Sequence, residues 1–190
     1  LPHNNRMDGD AENRARHARR LMRKKHPKFI DGDHVRLRPA TVSDKRLIYH
    51  ALACSELTEI LLGRPGSLQA PALSWEQFCD DHKDHYFDDS DSMSGREFVI
   101  EAAGRSVGQV YYNNIFGSPP RTEIDIWMFS EANCGLGNGS VALRCLCDYL
   151  AADWGVREFF IMPSCVNRRA IRAYEKAGFE RSKLSTEKNQ

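Results

Sequence analysis

The sequence lacks several features that would each point to a particular class of protein. Its longest apolar runs are a few residues, far short of the roughly 20 that cross a bilayer, and the charged N-terminus has no apolar core of a secretory signal. Net charge is +1, so no overall field favours nucleic acid. Six cysteines form no CxxC pair and no metal-ligand spacing, which favours reduced thiols and a cytoplasmic location. The 190 residues suffice for one domain with a sizeable core.

Charge is nevertheless uneven along the chain. Residues 14–28, RARHARRLMRKKHPK, carry eight Arg or Lys and no acid. Such a run is either a patch for nucleic acid or membrane, or a solvated helix or loose extension, and its few apolar residues favour the second interpretation. Pro27 ends any helix there. We therefore expect a basic N-terminal extension over residues 1–33 and a domain over residues 34–190.

From His34 onwards, apolar residues alternate between the twofold period of strands and the 3.6-residue period of helices. The predicted order is β-α-α-β-β-β-α-β-α, which indicates an α/β (α+β) domain, a mixed sheet with helices on both faces. Ser43 and the Ser74–Gln77 pair are expected to cap the first two helices, and residues 63–72 to form a loop. Strands are expected within HVRLR, EFVIEAA, SVGQVYYNNI, TEIDIWMF and EFFIM, the last of them buried.

The two C-terminal helices have the clearest patterns. The first carries an apolar stripe at helical spacing: Leu143, Leu146, Cys147, Leu150 and Trp154. The second is expected to start at an Asn167 cap and to stop at Gly178, with Phe179 closing a Schellman-type end.

Three glycines, Gly135, Gly137 and Gly139, lie between the TEIDIWMF strand and the first of these helices. Bare backbone before a helix N-terminus is suited to an anion, because unpaired N–H groups and the helix dipole both favour negative charge. A plain turn would need one or two glycines, and on the glycines alone the two interpretations are equal. The stretch lacks the Lys-Ser/Thr of a P-loop, and its GxGxG spacing differs from the GxGxxG of a dinucleotide fold.

Two segments resemble the GNAT N-acetyltransferase superfamily: CGLGNG (134–139), similar to its pyrophosphate loop, and NRRAIRAYEKAGFER (167–181), similar to its Asn-x-x-Ala-x-x-x-Tyr-x-x-x-Gly-Phe segment. The resemblance spans roughly residues 34–181 and looks nearest to aminoglycoside 6′-N-acetyltransferases, siderophore-type lysine acyltransferases and ribosomal-protein N-terminal acetyltransferases. It implies the GNAT fold, with a mostly antiparallel mixed sheet. It also implies transfer of an acetyl group from acetyl-CoA to a small-molecule or peptide primary amine, in a reaction that needs no metal. A homodimer is possible, and neither a membrane nor nucleic acid is an expected partner.

The resemblance also implies roles for particular residues. Asp125 is the favoured base and Glu123 a second candidate, although both fit ordinary strand acids on an outward face. A backbone N–H near Met128 or Phe129 is expected to stabilise the oxyanion, and Tyr174 is the expected acid or else a core tyrosine. The expected cofactor contacts are Met128, Phe129, Cys134, Gly135, Leu136, Gly137, Asn138, Gly139, Ser140, Asn167, Arg169 and Tyr174.

Three features depart from the family pattern. Cys134 replaces the usual Gln or Arg, which leaves only its backbone N–H for the cofactor. The usual strand after the Gly-Phe pair is short, lost or supplied by a partner, and the basic extension has no counterpart. A non-catalytic CoA-binding or partner-binding module is the alternative function. His82 and His85 provide only two ligands, short of the three or four of a zinc site.

Overall fold

The computed structural model describes residues 24–61, 72–165 and 167–182 of the chain. The strands are β1 (Ile30–Asp31), β2 (Val35–Pro39), β3 (Gly95–Ala102), β4 (Arg105–Phe116), β5 (Arg121–Met128) and β6 (Glu158–Phe160). The α-helices are α1 (Lys45–Cys54), α2 (Glu56–Leu61), α3 (Trp75–Asp81), α4 (Asn138–Trp154) and α5 (Arg168–Ala177).

The strands form one sheet in the order β1-β2-β3-β4-β5-β6. The first four pairings are antiparallel and only β5 and β6 run parallel, so the prediction of a mostly antiparallel mixed sheet is confirmed. The parallel pair requires a crossover, and α4 supplies it between β5 and β6.

A separate apolar layer covers each face of the sheet. On one face α4 and α5 pack on strand residues that include Phe98, Val110 and Ile124. On the other face Ile48 of α1 and Phe78 of α3 pack against strand side chains that point the opposite way. Side chains that alternate along β5 therefore enter two different interiors.

Several local predictions are confirmed in detail. Ser74 and Gln77 form a capping box at the start of α3, with Gln77 N donating to Ser74 Oγ at 3.2 Å. At the end of α5, Gly178 lies in the left-handed region at φ +99°, and the N–H of Phe179 donates to the carbonyl of Tyr174 at 3.0 Å. The N–H of Gly178 also donates to the carbonyl of Glu175 at 3.1 Å, and the two bonds together form the Schellman pattern that the glycine predicted.

Other local predictions need correction. Ser43 does not cap the first helix, because Thr41 and Asp44 form a capping box around a preceding 3₁₀ turn and α1 starts at Lys45. Strand β6 is a half-buried edge strand rather than a buried one, with Glu158 exposed. Strand β1 and helix α2 are additional elements that the sequence pattern did not predict. The predicted loop over residues 63–72 lies outside the described residues apart from Ala72.

Residues 24–31 of the predicted extension pack onto the domain. The side chain of His26 is fully buried, and its ring stacks on Trp154 with 5.0 Å between centroids. Strand β1 then adds to the sheet edge by pairing with β2. The basic residues that precede Lys24 lie outside the described part of the chain.

Two further observations hold for the described ranges. No helix there is long and apolar enough to cross a membrane. No strand follows β6 up to residue 182, so the terminal strand of the family pattern is not found within these residues.

Candidate active site

The candidate site begins where β5 and β6 separate. The two parallel strands pair only from Arg121 to Glu123, although β5 continues to Met128. Beyond Glu123, a cavity of about 320 Å³ lies between the end of β5, the start of α4 and one side of α5. An unpaired strand edge that faces a cavity offers backbone N–H and C=O groups to a ligand.

The glycine segment forms the second wall of the cavity. Gly135 and Gly137 lie in the left-handed region, at φ +75° and +85°, which glycine adopts without a steric penalty. A Cβ at Gly135 would meet nothing within 4 Å, so the space beside the backbone is open. The N-cap residue of α4 is Gly137, which has no side chain to cap the first turn of this 17-residue helix. The N-terminus of α4 therefore has the donors and open space that an anionic group needs.

Backbone hydrogen bonds distinguish the two oxyanion candidates. The N–H of Phe129 donates to the carbonyl of Val107 at 2.9 Å, and Met128 faces Gly108 across the same ladder. Since successive N–H groups of a strand point to opposite edges, the N–H of Met128 points to the open edge beyond Glu123. Met128 lines the cavity and Phe129 does not. Of the pair, Met128 has its N–H directed to the cavity, whereas the N–H of Phe129 is already bonded within the sheet.

Cys134 also differs from its expected role. Its N–H donates to the carbonyl of Glu131 at 3.0 Å, so this N–H is not free to serve a cofactor. Its side chain still lines the cavity. Leu136 is 65% exposed and is not part of the lining.

Asp125 and Glu123 share one face of β5, and this face leaves both residues half-buried rather than exposed. It is covered by the layer that contains α1 and α3, and burial raises the pKa of Asp125 above its usual value. Asp125 Oδ2 accepts a hydrogen bond from the Tyr111 hydroxyl at 3.2 Å, and Oδ1 accepts one from the Ile126 N–H at 2.7 Å. Burial and the Asp125 charge raise the pKa of Glu123. The alternative of an ordinary outward strand acid therefore does not hold for Asp125, whose pKa is perturbed by its enclosure, and Glu123 on the same face is half-buried.

Tyr174 belongs both to the core and to the cavity. It is 8% exposed, packs edge-on against Phe179 and contributes to the cavity lining. Burial, and after it the nearby Asp125 carboxylate, raise its pKa, so the phenol stays protonated at neutral pH. Asn167 caps α5 through Oδ1, which accepts from the Ala170 N–H at 3.0 Å, and it also lines the cavity. For both residues the structural role and contact with a ligand are compatible.

Positive charge lies along one side of the cavity. Arg169, Arg172 and Lys176 of α5 all contribute to the lining. Arg169 forms a bidentate pair with Glu131, in which Nη2 and Oε2 are 2.7 Å apart. This bond lowers the pKa of Glu131 and joins the β5–α4 connection to α5.

The structure brings most of the predicted cofactor contacts together. The lining contains Met128, Cys134, Gly135, Gly137, Asn138, Gly139, Ser140, Asn167, Arg169 and Tyr174. It also includes Leu57, Trp127 and Asn133, which the sequence did not indicate. Trp127 lies next to Asp125, and its Nε1 donates to the carbonyl of Ala51 at 3.1 Å, so α1 fixes the ring. In the sequence, the only indication of this role was that Trp127 precedes Met128 on the strand and shares the face of Asp125.

The two histidines considered as metal ligands have other contacts. His82 Nδ1 lies 3.2 Å from Glu97 Oε2. His85 follows in a 3₁₀ turn beyond the end of α3. Across the described ranges, no group of three or more His, Cys, Asp or Glu side chains is arranged to hold a metal ion.

An uncapped helix N-terminus, an open strand edge and a protonated phenol line one cavity, and a carboxylate with a perturbed pKa lies on the same strand. These are features of a group-transfer enzyme with an anionic cofactor. A family model described as an acetyltransferase (GNAT) domain matches residues 34–180. The chain therefore belongs to the GNAT acetyltransferase family and is an N-acetyltransferase.

Solved structures show the same relationship, whereas a search of the curated proteins finds no significant match. The aminoglycoside acetyltransferase AAC(6′)-Ib, in complex with paromomycin and acetyl-CoA, is 25% identical, with a TM-score of 0.61 over 79% of this chain and 85% of that one. Two further structures share the fold at 18% identity. They are spermidine N-acetyltransferase from Vibrio cholerae with CoA and spermine (TM-score 0.62, 79% and 83% covered) and the ribosomal L7/L12 acetyltransferase RimL (0.58, 78% and 78%).

Proposed function

We propose that this enzyme transfers an acetyl group from acetyl-CoA to a primary amine by direct attack, with Asp125 as base and Tyr174 as acid. The main supporting observation is that Tyr174 lines the cavity together with Ile126 and Trp127, the two residues that follow Asp125 on β5. Asp125 itself is not part of the lining, but its carboxylate is near enough to contribute to the raised pKa of Tyr174. A base and an acid are both required, because the amine must lose a proton and the thiolate must gain one.

Cofactor binding in this proposal rests on the glycine segment and on α5. The N–H groups at the start of α4 bind the pyrophosphate, and the glycines allow its oxygens to approach the backbone. Arg169, Arg172 and Lys176 add positive charge beside them. In the family member AAC(6′)-Ib, acetyl-CoA is present in the complex. The cavity in this chain has the polarity that such a cofactor needs.

The first chemical step removes a proton from the acceptor. An alkyl amine has a pKa near 10, like lysine, so it is mostly protonated at neutral pH. Asp125 accepts that proton, directly or through water, and the amine nitrogen forms a bond to the thioester carbonyl carbon. The N–H of Met128 stabilises the negative charge that develops on the carbonyl oxygen. Glu123, next along the same strand face, is the second candidate for the base.

The second step breaks the carbon–sulfur bond. Electrons return from the oxyanion, the CoA thiolate leaves, and Tyr174 donates its proton to the sulfur. Burial keeps that proton on Tyr174 until it is needed. The products are an N-acetylated amine and CoA.

The acceptor is a primary amine, small or peptide-borne. Structures of relatives contain paromomycin, kanamycin or spermine, all of which carry amino groups.

All six cysteines are free thiols, which supports a cytoplasmic protein, and dimerisation remains compatible with the fold.

Thiol release from acetyl-CoA across a panel of amines tests this function. Wild-type protein is expected to release CoA in an amine-dependent way. Asp125→Asn is expected to lower kcat by about a hundredfold to ten-thousandfold, with the KM for acetyl-CoA unchanged. The deficit should be largest at pH values above the pKa of Asp125, where the wild-type carboxylate is ionised. It should narrow as the pH approaches the pKa of the amine, because more of the amine is then already deprotonated.

Absence of turnover with every amine, combined with CoA binding by calorimetry, would contradict the catalytic proposal. It would instead support the alternative, a CoA-binding or partner-binding module that retains the fold.

A further inference from the structure

Three polar residues form a row across the sheet next to the candidate base. Glu97 of β3 lies opposite Tyr111 of β4, and Tyr111 lies opposite Asp125 of β5. Direct cross-strand partners point to the same face of a sheet, so the three side chains share the interior beneath α1 and α3. Tyr111 is the middle member, and its hydroxyl donates to Asp125 Oδ2 at 3.2 Å.

Tyr111 is itself held by aromatic neighbours. The rings of His82 and Tyr86 both meet it edge-on, each with 5.9 Å between centroids. His82 is fixed in turn by Glu97, whose Oε2 lies 3.2 Å from Nδ1. Glu97 is fully buried, and its other carboxylate oxygen has no hydrogen-bond partner within the described residues. The Tyr111 phenol therefore has little freedom to turn away from Asp125.

We propose that Tyr111 is a positioning residue for the acetyl transfer, which holds the Asp125 carboxylate in one orientation and in its ionised form. The inference rests on the proposed role of Asp125 as base. With Oδ1 bonded to the Ile126 N–H and Oδ2 to Tyr111, rotation of the carboxylate would break two hydrogen bonds. The remaining lone pairs then face a fixed direction, which is what proton abstraction needs.

Charge near Asp125 comes from several elements. His82 follows α3, Glu97 lies on β3, Glu123 on β5 and Tyr174 on α5. Burial raises the pKa of Asp125, whereas the backbone N–H of Ile126, the Tyr111 hydroxyl and the neighbouring His82 lower it. A hydrogen bond to the charged form is the one contribution that Tyr111 makes through its hydroxyl alone.

The test is the pH dependence of kcat for Tyr111→Phe, which removes only the hydroxyl. Without that donor the ionised base is less stable, so the acidic limb of the profile is expected to move up by about one pH unit. At a fixed pH on that limb, kcat falls by about tenfold, whereas the KM for acetyl-CoA stays the same. The limb should be absent in Asp125→Asn.

Tyr112→Phe is the matched control. Tyr112 is the next residue on β4 and points to the opposite face. Its hydroxyl donates to the Ser92 carbonyl at 2.7 Å and lies 3.0 Å from His26 Nε2, so the control loses at least as many hydrogen bonds as Tyr111→Phe does. The acidic limb of the kcat profile of Tyr112→Phe is expected to coincide with that of wild type, even if this variant is less stable.

A second variant does not depend on the folding of Tyr111→Phe. Site-specific 3-fluorotyrosine at position 111 retains the ring and makes the phenol a stronger donor, so the limb should move to lower pH. If the limb does not move in either variant, or if kcat falls equally at every pH, Tyr111 contributes packing only and the inference is wrong. Wild-type protein without amine-dependent turnover would instead refute the proposed function itself.

Discussion

Substitution of Gly137 by valine tests the cofactor loop against a control in the same helix. Gly137 precedes α4 at φ +85°, and Gly155 follows α4 at φ +70°. Valine at either position has to adopt the left-handed region, which costs about 1–2 kcal/mol per residue. Built at Gly155, a Cβ meets nothing within 4 Å, and at Gly137 its nearest neighbour is His34 Nε2 at 3.9 Å. Both variants are therefore expected to fold with a similar small loss of stability.

Their affinities for CoA should differ, because only Gly137 lines the cavity. Its new side chain would keep the pyrophosphate from the N–H groups of the first turn of α4. A hydrogen bond to a charged group contributes about 1.5–3 kcal/mol, so the loss of one weakens binding roughly 10- to 150-fold. Calorimetric titration with CoA measures the affinity of each variant, and urea unfolding measures whether the two variants lose a similar free energy of unfolding. If Gly137→Val binds CoA as tightly as Gly155→Val does, the glycine segment does not bind the cofactor.

The remaining predictions concern the acid and the N-terminal segment. Tyr174→Phe is expected to lower kcat about a hundredfold, the low end for general acid catalysis, because a thiol leaves comparatively easily; full kcat in thiol release would exclude the acid role. Removal of residues 1–30 takes His26 away from its contact with Trp154, whereas removal of residues 1–23 retains that contact. The side chain of His26 is fully buried, so the longer truncation is expected to unfold at a lower temperature than the shorter one, and equal melting temperatures would contradict that contribution.

Local chemistry in the sequence was sufficient for much of the fold. Gly178 followed by Phe179 predicted the Schellman end of α5, and Ser74 with Gln77 predicted the start of α3, because caps depend on neighbours within a few residues. The apolar stripe of α4 likewise predicted its buried face. These patterns depend on contacts within one helix and its ends, so they can be recognised in the sequence without knowing how the rest of the chain folds.

Short elements and competing caps were beyond the same reasoning. Strand β1 has two residues, too few to show a period, and it forms because β2 offers an edge. Thr41 rather than Ser43 heads the first helical segment, since Asp44 completes its capping box. Both residues fit the composition rule, and the choice between them depends on the path of the preceding chain.

For the site, the sequence by itself determined the glycine segment, Asn167, Tyr174 and the alternation that sets Asp125 apart from Ile126. Alternation shows which side chains share a face of a strand, but it does not reveal what covers that face. Only the tertiary structure decided that Asp125 lies in a buried layer, and only the register of three strands brought Glu97 and Tyr111 into line with it. Strand register and layer packing bring together residues that are far apart in the chain. A shift of one residue in register would turn every side chain of a strand to the other face. Register and packing are therefore fixed by the assembled core rather than by any single segment.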